Sequence, residues 1–170
     1  MNFRISQTTV VMLLALLSFQ GCGVEYRDDP ACKELNYMTF EEFRAKGVEV
    51  LPSQDIKEAG KIYVYADTLL IAEKNEGIHV IDNSDKKSPH PKAYLKLAGN
   101  LDMAVKEGYL YLDSYMDLVV MDINNLENIK EVNRTKNTFT YDPYQNFNGS
   151  YYRHGCNFDT TKGVIIGGKK

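Results

Sequence analysis

Residues 61–82 read KIYVYADTLLIAEKNEGIHVID, and this stretch decides the fold. It contains three short runs rich in Ile, Val, Leu and Tyr, separated by the breaks Asp67–Thr68 and Lys74–Gly77. Such runs with hairpin-sized connections are typical of antiparallel strands. A fourth run, at 93–97, follows the next turn. The sequence therefore predicts four strands within about 40 residues.

The same order of strands and turns recurs in residues 103–122, MAVKEGYLYLDSYMDLVVMD, and a weaker run follows at 129–132. An offset of 40 residues without gaps aligns three pairs: Leu70 with Leu110, Val80 with Val120, and Asp82 with Asp122. A period near 40 with four strands per unit is typical of propeller blades, and the alternative is an unrelated β-meander. We expect an all-β fold with blades at 59–98 and 99–137.

Residues 154–170 have the pattern of a hairpin that opens a third blade. A closed propeller needs at least four blades of about 40 residues. Residues 59–170 therefore predict a partial β-propeller of about two four-stranded blades plus the start of a third. The apolar strand Val164–Ile166 is then expected to lie uncovered and to promote self-association through an open sheet edge.

One short helix is predicted ahead of the strands, in a helix and lead-in segment at 38–58. Thr39 and Glu42 have the spacing of a capping box, in which each side chain accepts a hydrogen bond from the other residue's backbone. Phe40 and Phe43 continue the helix, and Gly47 ends it. A helix this short is expected to flank the domain.

Residues 1–21 have the pattern of an export signal, with an apolar core at Val10–Leu17 that is shorter than a membrane span. Gly21–Cys22 resembles the processing site of bacterial lipoproteins, where the Cys is lipidated and begins the mature chain. Phe19 and Gln20 depart from that pattern. An anchored lipoprotein and a freely secreted protein are the two interpretations, and we favour the first. Residues 22–37 would form a polar tether.

The strands also carry a family resemblance. Residues 77–84 and 118–123 resemble the LVIVD repeat, named for its Leu-Val-Ile-Val-Asp strand, and Tyr109–Asp113 resembles the strand that precedes it. The likeness covers residues 58–133. The resemblance implies a shortened member of a family of β-propeller-like bacterial exported proteins and lipoproteins. It also implies a place in the cell envelope, facing the periplasm or the cell surface, and it implies no catalytic residues.

Metal and catalytic motifs are missing from the sequence. Cys32 and Cys156 are an even pair once Cys22 carries lipid, so they form either a disulfide or two independent thiols. His154 and Cys156 have no indicated third ligand, and Asp82–Asp85 lacks the spacing of a calcium loop and is more typical of a turn. There is no Gly-rich phosphate loop and no nucleophile elbow. We expect no metal site, no cofactor and no enzymatic activity.

The segment beyond Thr138 places aromatic side chains among Asn, Asp, Gly and Ser. They form either a stacking surface for carbohydrate or peptide, or a cover over the end of a blade, which we favour. The five candidates for an aromatic binding loop are Tyr141, Tyr144, Phe147, Tyr151 and Tyr152.

The net charge of the chain bears on which classes of partner it can bind. A formal net charge of −3 argues against nucleic-acid binding, which needs a surplus of basic residues. We expect a membrane-anchored lipoprotein that acts as a non-enzymatic binding or scaffolding module, with a protein or carbohydrate ligand. The alternative is a truncated remnant of a larger, hydrolase-like propeller enzyme whose active site is missing.

Overall fold

The computed structural model describes residues 35–146 and 158–168. Short runs of β-branched and aromatic residues between tight turns give this part of the chain its strands. Its elements are β1 (Leu35–Met38), α1 (Phe40–Lys46), β2 (Glu49–Pro52), β3 (Ile62–Tyr65), β4 (Thr68–Glu73), β5 (Gly77–Asp82), β6 (His90–Lys96), β7 (Met103–Lys106), β8 (Tyr109–Ser114), β9 (Asp117–Asp122), β10 (Lys130–Thr135), α2 (Pro143–Asn146) and β11 (Val164–Gly168).

Two antiparallel meanders form most of the fold. Strands β3 to β6 pair in sequence order in one sheet, which we call blade 1, and β7 to β10 pair in the same way in blade 2. The first strands of the blades, β3 and β7, lie beside each other. The prediction of an all-β, partial propeller-like fold with two four-stranded units is confirmed.

Two strands were not predicted. β2 pairs with β6 and adds a fifth strand to the sheet of blade 1. β1 pairs with β11, so the last three residues of the predicted tether, 35–37, belong to a strand. β11 is the strand predicted to open a third blade, and its partner is a strand from far earlier in the chain. β1 pairs with one edge of this strand, and Val164 and Ile165 are buried, whereas Ile166 is 50% exposed and the other edge of β11 has no strand partner among the described residues. Self-association through that edge stays a prediction.

The structure corrects the alignment of the two repeats. Thr68 pairs with Asp82 in blade 1, and Tyr109 pairs with Asp122 in blade 2. Strands β5 and β9 are therefore related by an offset of 40, but β4 and β8 are related by 41. The turn between β8 and β9 is one residue shorter than the turn between β4 and β5. Consequently Leu70 corresponds to Tyr111, whereas the gap-free alignment paired it with Leu110.

The main core lies between the two blades. The front face of blade 1 comprises Leu70, Ala72, Ile78, Val80, Ala93 and Leu95. The back face of blade 2 comprises Met103, Val105, Leu110, Leu112, Val119 and Met121. These two faces pack together, and most of their side chains are fully buried. Apolar burial on this scale is the dominant stabilising term of such a fold.

A second, smaller core holds the N-terminal helix and the β1–β11 pair. The predicted capping box is present, with Glu42 N donating to Thr39 Oγ1 at 3.2 Å and Thr39 N donating to Glu42 Oε2 at 2.9 Å. Phe43 of α1 is buried against Met116 and Val164. The helix therefore joins β11 to the β8–β9 turn of blade 2.

Candidate functional site

The upper end of the molecule is the end at which the β4–β5 turn, the β6–β7 connection and the β8–β9 turn meet. Backbone hydrogen bonds join them: Asn75 N donates to Asn100 O at 2.7 Å, and Gly99 N donates to Asn75 O at 3.1 Å. Tyr115 N in turn donates to Gly99 O at 3.1 Å. Most of the buried polar side chains of the described residues lie here, namely Glu73, Asn100, Ser114 and Asp117. This end is therefore the candidate site.

A buried ion pair fixes helix α1 at this end. Asp117 begins β9, and its side chain is 0% exposed. Arg44 donates from Nε to Asp117 Oδ2 and from Nη2 to Oδ1, both at 2.8 Å. Asn137 N donates to Oδ1 at 3.0 Å, and Arg134 Nη1 lies 3.7 Å from Oδ2. Burial by itself would raise the pKa of Asp117, but these hydrogen bonds and cations hold it below its usual value.

Glu131 extends this network towards β2. Arg134 donates from Nε to Glu131 Oε1 at 2.9 Å and from Nη2 to Oε2 at 3.2 Å. Val48 N donates to the same Oε2 at 3.2 Å. Two arginines and two carboxylates thus join α1, the start of β2, blade 2 and the segment after β10. These hydrogen bonds hold the elements together, and Arg134 Nη1 is buried at 3.7 Å from Asp117 Oδ2 without a hydrogen bond.

A second polar cluster lies in blade 1. Glu73 accepts backbone hydrogen bonds from Lys57 N at 2.6 Å and Glu58 N at 3.2 Å, so it holds the loop between β2 and β3. Burial opposes ionisation of Glu73, yet these bonds keep its pKa below the usual value. His79 Nε2 lies 3.4 Å from Glu73 Oε1. The ring of Tyr94 lies 4.7 Å from that of His79, and burial beside Glu73 raises the pKa of Tyr94 to about 12.

A third cluster holds the loop that enters blade 2. Asp113 Oδ1 accepts from Leu101 N at 2.8 Å and from Asp102 N at 2.9 Å, and the side-chain amide of Asn100 donates to it at 2.8 Å. Burial raises the pKa of Asp113 in spite of these bonds. Lys61 pairs with the exposed carboxylate of Asp102. Asp113 is the acidic residue of the strand Tyr109–Asp113, which resembles a family motif. Its side chain therefore fixes the loop that enters blade 2.

Two open cavities adjoin these clusters. The first, of about 400 Å³, lies between the blades and is lined by Gly60, Lys61, Ala72, Lys74, Leu101 and Gln145. The second, of about 380 Å³, includes Gln54, Lys57, Glu73, Tyr94 and Lys96 among its lining residues. A rim of lysine, glutamine and backbone groups offers hydrogen bonds to a polar ligand.

The lower end carries repeated turns. Asp82 Oδ1 accepts from Ser84 N and Asp122 Oδ1 accepts from Asn124 N, each at 3.0 Å. The interpretation of Asp82–Asp85 as a turn is confirmed, since Asp85 accepts from Lys87 N at 2.9 Å. No group of three or more His, Cys, Asp and Glu side chains within 35–146 and 158–168 is arranged to hold a metal ion.

The structure describes two of the five predicted aromatic-loop residues. Tyr141 is half-buried, accepts from Ile165 N at 2.9 Å, and packs edge-on against Tyr115 with ring centroids 5.7 Å apart. Tyr144 is exposed on α2, and its ring lies 4.7 Å from that of Phe158. The rings of Tyr141 and Tyr144 therefore do not lie together as a flat stacking surface. The remaining predicted site residues lie outside the described part of the chain: Cys22, Cys32, Phe147, Tyr151, Tyr152 and Cys156.

Comparison with known protein families agrees with this architecture. The family model of the LVIVD repeat matches residues 57–94 and 100–136. The chain contains two LVIVD repeats. The first repeat coincides with the loop into blade 1 and its four strands, and the second with blade 2. No curated protein matches the chain, and no solved structure matches it. The LVIVD strand of each repeat is β5 or β9, whose terminal Asp makes the turn described above.

The described helices are all short. None of them has the length and apolar character needed to cross a membrane. Sequence reasoning missed the network of Arg44, Asp117 and Arg134, because 73 residues separate Arg44 from Asp117 and no local pattern connects them. The signal that was available was Asp117 itself, an acidic residue at the start of an otherwise apolar strand.

Proposed function

We propose that this chain is an envelope-anchored lipoprotein that acts as a non-enzymatic binding or scaffolding module through its LVIVD repeats. The anchor is supported by the apolar run that ends at Gly21–Cys22. The binding role is supported by one observation above the others. Three carboxylates of the upper end each accept several hydrogen bonds from loops or arginines, namely the buried Glu73 and Asp117 and the half-buried Asp113.

A hydrolytic site needs an acid or base that faces a cleft and is free to exchange a proton, whereas each of these carboxylates, including Glu73 at the second cavity, is engaged in several hydrogen bonds. Glu73 and Asp117 are held ionised, and Asp113 holds backbone N–H groups. The cavity between the blades instead offers a cation and an amide at its rim, from Lys74 and Gln145, whereas the third polar residue there, Lys61, is paired with Asp102. Such a rim suits recognition of a polar or anionic group on a protein or glycan.

Lipidation is expected at Cys22. Cells that express the full chain and receive a fatty-acid analogue should yield a labelled protein in the membrane fraction. The Cys22→Ser variant should lose the label, because the thiol is the acyl acceptor. Cys32→Ser is the matched control and should keep the label. An unlabelled wild-type protein recovered from the soluble fraction would contradict the anchor.

Ligand contact is expected at the upper end. A photo-crosslinking residue in place of Lys74, which lines the cavity between the blades, should form one reproducible adduct with an envelope component in living cells. The same residue in place of Lys87 is the control, since this lysine is exposed in a turn at the other end of β5. Identical adduct patterns at both positions, or none at either, would argue against a binding site in this cavity.

A further inference from the structure

The second cavity lies on the back face of blade 1, opposite the front face that packs on blade 2. Ala72 and Glu73 are neighbours on β4, so their side chains point to opposite faces of the sheet. Ala72 belongs to the core between the blades, whereas Glu73 lines this second cavity, of about 380 Å³. The second cavity is therefore separate from the cavity between the blades, which Lys74 lines.

The segment between β2 and β3 forms one wall of the second cavity. Glu73 Oε1 accepts from Lys57 N at 2.6 Å and from Glu58 N at 3.2 Å, which fixes this segment on the back face. Gln54 and Lys57 of the segment line the cavity, and Lys96 at the end of β6 lines it from the sheet. The carboxylate that holds the wall thus also faces the space that the wall encloses.

Three polar side chains are buried at or directly behind the floor of this cavity. Glu73, His79 and Tyr94 are 5%, 3% and 4% exposed. His79 Nε2 lies 3.4 Å from Glu73 Oε1 and has no hydrogen-bond partner among the described residues. Burial of polar groups costs free energy, so such a group of three beside an open cavity is a candidate binding site.

The floor can both donate and accept hydrogen bonds. Glu73 is held ionised by its two backbone hydrogen bonds, and a carboxylate has about four lone-pair sites, so it keeps the capacity to accept from a ligand. Tyr94 keeps its proton, because burial beside Glu73 raises its pKa to about 12. Its hydroxyl group is therefore available both as a donor and as an acceptor.

The charges that line this cavity are balanced. Lys57 and Lys96 provide two positive charges. Glu73 and Glu76 provide two negative charges. A charged ligand would meet one of these pairs with like sign, whereas a neutral ligand with several hydroxyls can donate to the carboxylates and accept from the ammonium groups. Leu51 adds apolar surface to the lining.

We propose that this cavity binds a neutral saccharide, either a free sugar or the end of a glycan. The sugar hydroxyls bond to Glu73 and Tyr94 at the floor and to the lysines of the lining, and the C–H groups of the sugar contact Leu51. The volume is near the lower end of the range of about 300–1,000 Å³ for ligand pockets, which suits a short saccharide. This inference rests on the proposed binding role of the chain, but not on a ligand between the blades.

The test is a binding measurement on the full chain, purified in a detergent that has no sugar headgroup. Ligand-observed NMR with maltose, cellobiose, lactose and diacetylchitobiose as probes should detect binding of at least one of them. The uronic-acid and amino-sugar derivatives of that probe carry a charge and should bind about tenfold more weakly or less. A longer oligomer of the same sugar that binds as tightly identifies a glycan end, and one that binds more weakly identifies a free sugar.

Substitutions at the floor locate the ligand. Tyr94→Phe removes one hydroxyl and should lower the affinity about tenfold, while the hydrogen bonds of Glu73 to the wall remain. Glu73→Gln should lower the affinity at least as much. Tyr63→Phe is the matched control, because Tyr63 packs on the core at the front face of the same sheet. Lys74→Ala, in the cavity between the blades, should leave the saccharide affinity unchanged.

Four outcomes would contradict a saccharide site in this cavity. They are no binding of any of the four probes, charged derivatives that bind as tightly as the neutral probe, an affinity that both Tyr94→Phe and Glu73→Gln leave unchanged, and loss of saccharide binding in Lys74→Ala. The adduct expected from the photo-crosslinking residue at position 74 does not depend on this cavity. Its presence without saccharide binding would therefore separate failure of this site from failure of the proposed function.

Discussion

Replacement of Asp117 by alanine is expected to lower the free energy of unfolding by about 3–5 kcal/mol. The carboxylate is fully buried and accepts two hydrogen bonds from Arg44 and one from Asn137 N. Without it, the guanidinium groups of Arg44 and Arg134, which are 18% and 11% exposed, lose a counterion that water cannot fully replace. Denaturant unfolding followed by circular dichroism measures the loss.

The matched control is Asp85→Ala. Asp85 is an exposed turn residue that accepts one hydrogen bond, from Lys87 N. Its removal should cost no more than about 0.5–1.5 kcal/mol. Equal losses for the two variants would mean that the network around Asp117 does not hold α1 on blade 2.

The effect of Asp117 should depend on pH in a defined direction. Its pKa is lowered in the folded state, so its contribution is fully present above the unfolded value, about 4, and is lost as the pH falls through the folded value. The difference in stability between the wild-type protein and Asp117→Ala should therefore be constant near neutral pH and should shrink below about pH 4. A difference that grows on acidification would contradict the ion pair.

The local elements of this fold could be predicted because their signals are local. Alternating apolar residues between turns define β3 to β10, and the spacing of Thr39 and Glu42 defines the start of α1. β1 and β2 escaped prediction because each depends on a distant partner. The sequence LNYM at 35–38 is a strand only because β11 lies beside it, and β2 is held at the edge of β6.

The repeat was recognised correctly, but its register was not. Each strand contributes alternate side chains to opposite faces, so an error of one residue exchanges the two faces of the strand. The gap-free alignment made that error for β8, because it allowed no difference in turn length. It placed Leu110 with Leu70, whereas Leu110 belongs to the opposite face and contacts blade 1. Only the observed pairing shows which faces are equivalent.

The candidate site was the least predictable part. The clusters around Glu73, Asp113 and Asp117 combine residues from separate elements, and their chemical role depends on which backbone N–H groups lie nearby. The net charge of −3 argues against a nucleic-acid partner, and missing motifs disfavour common active sites. The sequence could not distinguish a carboxylate that accepts hydrogen bonds from a loop backbone from one that faces a ligand.

The packing between blades predicts a large effect for Met103→Ala. Met103 is 3% exposed on β7 and belongs to the core between the two sheets. Truncation of a buried Met to Ala leaves a cavity and typically costs about 2–5 kcal/mol. At the equivalent position of blade 1, Ile62 is 59% exposed, so Ile62→Ala should cost less than about 1 kcal/mol at low protein concentration.

This pair of variants tests whether equivalent positions of the two blades differ in burial. Met103→Ala removes a side chain that blade 1 of the same chain covers, whereas Ile62→Ala removes a side chain that lies largely in solvent. Denaturant unfolding of both variants beside the wild-type protein measures the two losses. Similar losses for the two substitutions would mean that the packing between the blades contributes no more to the free energy of unfolding than an exposed strand position does.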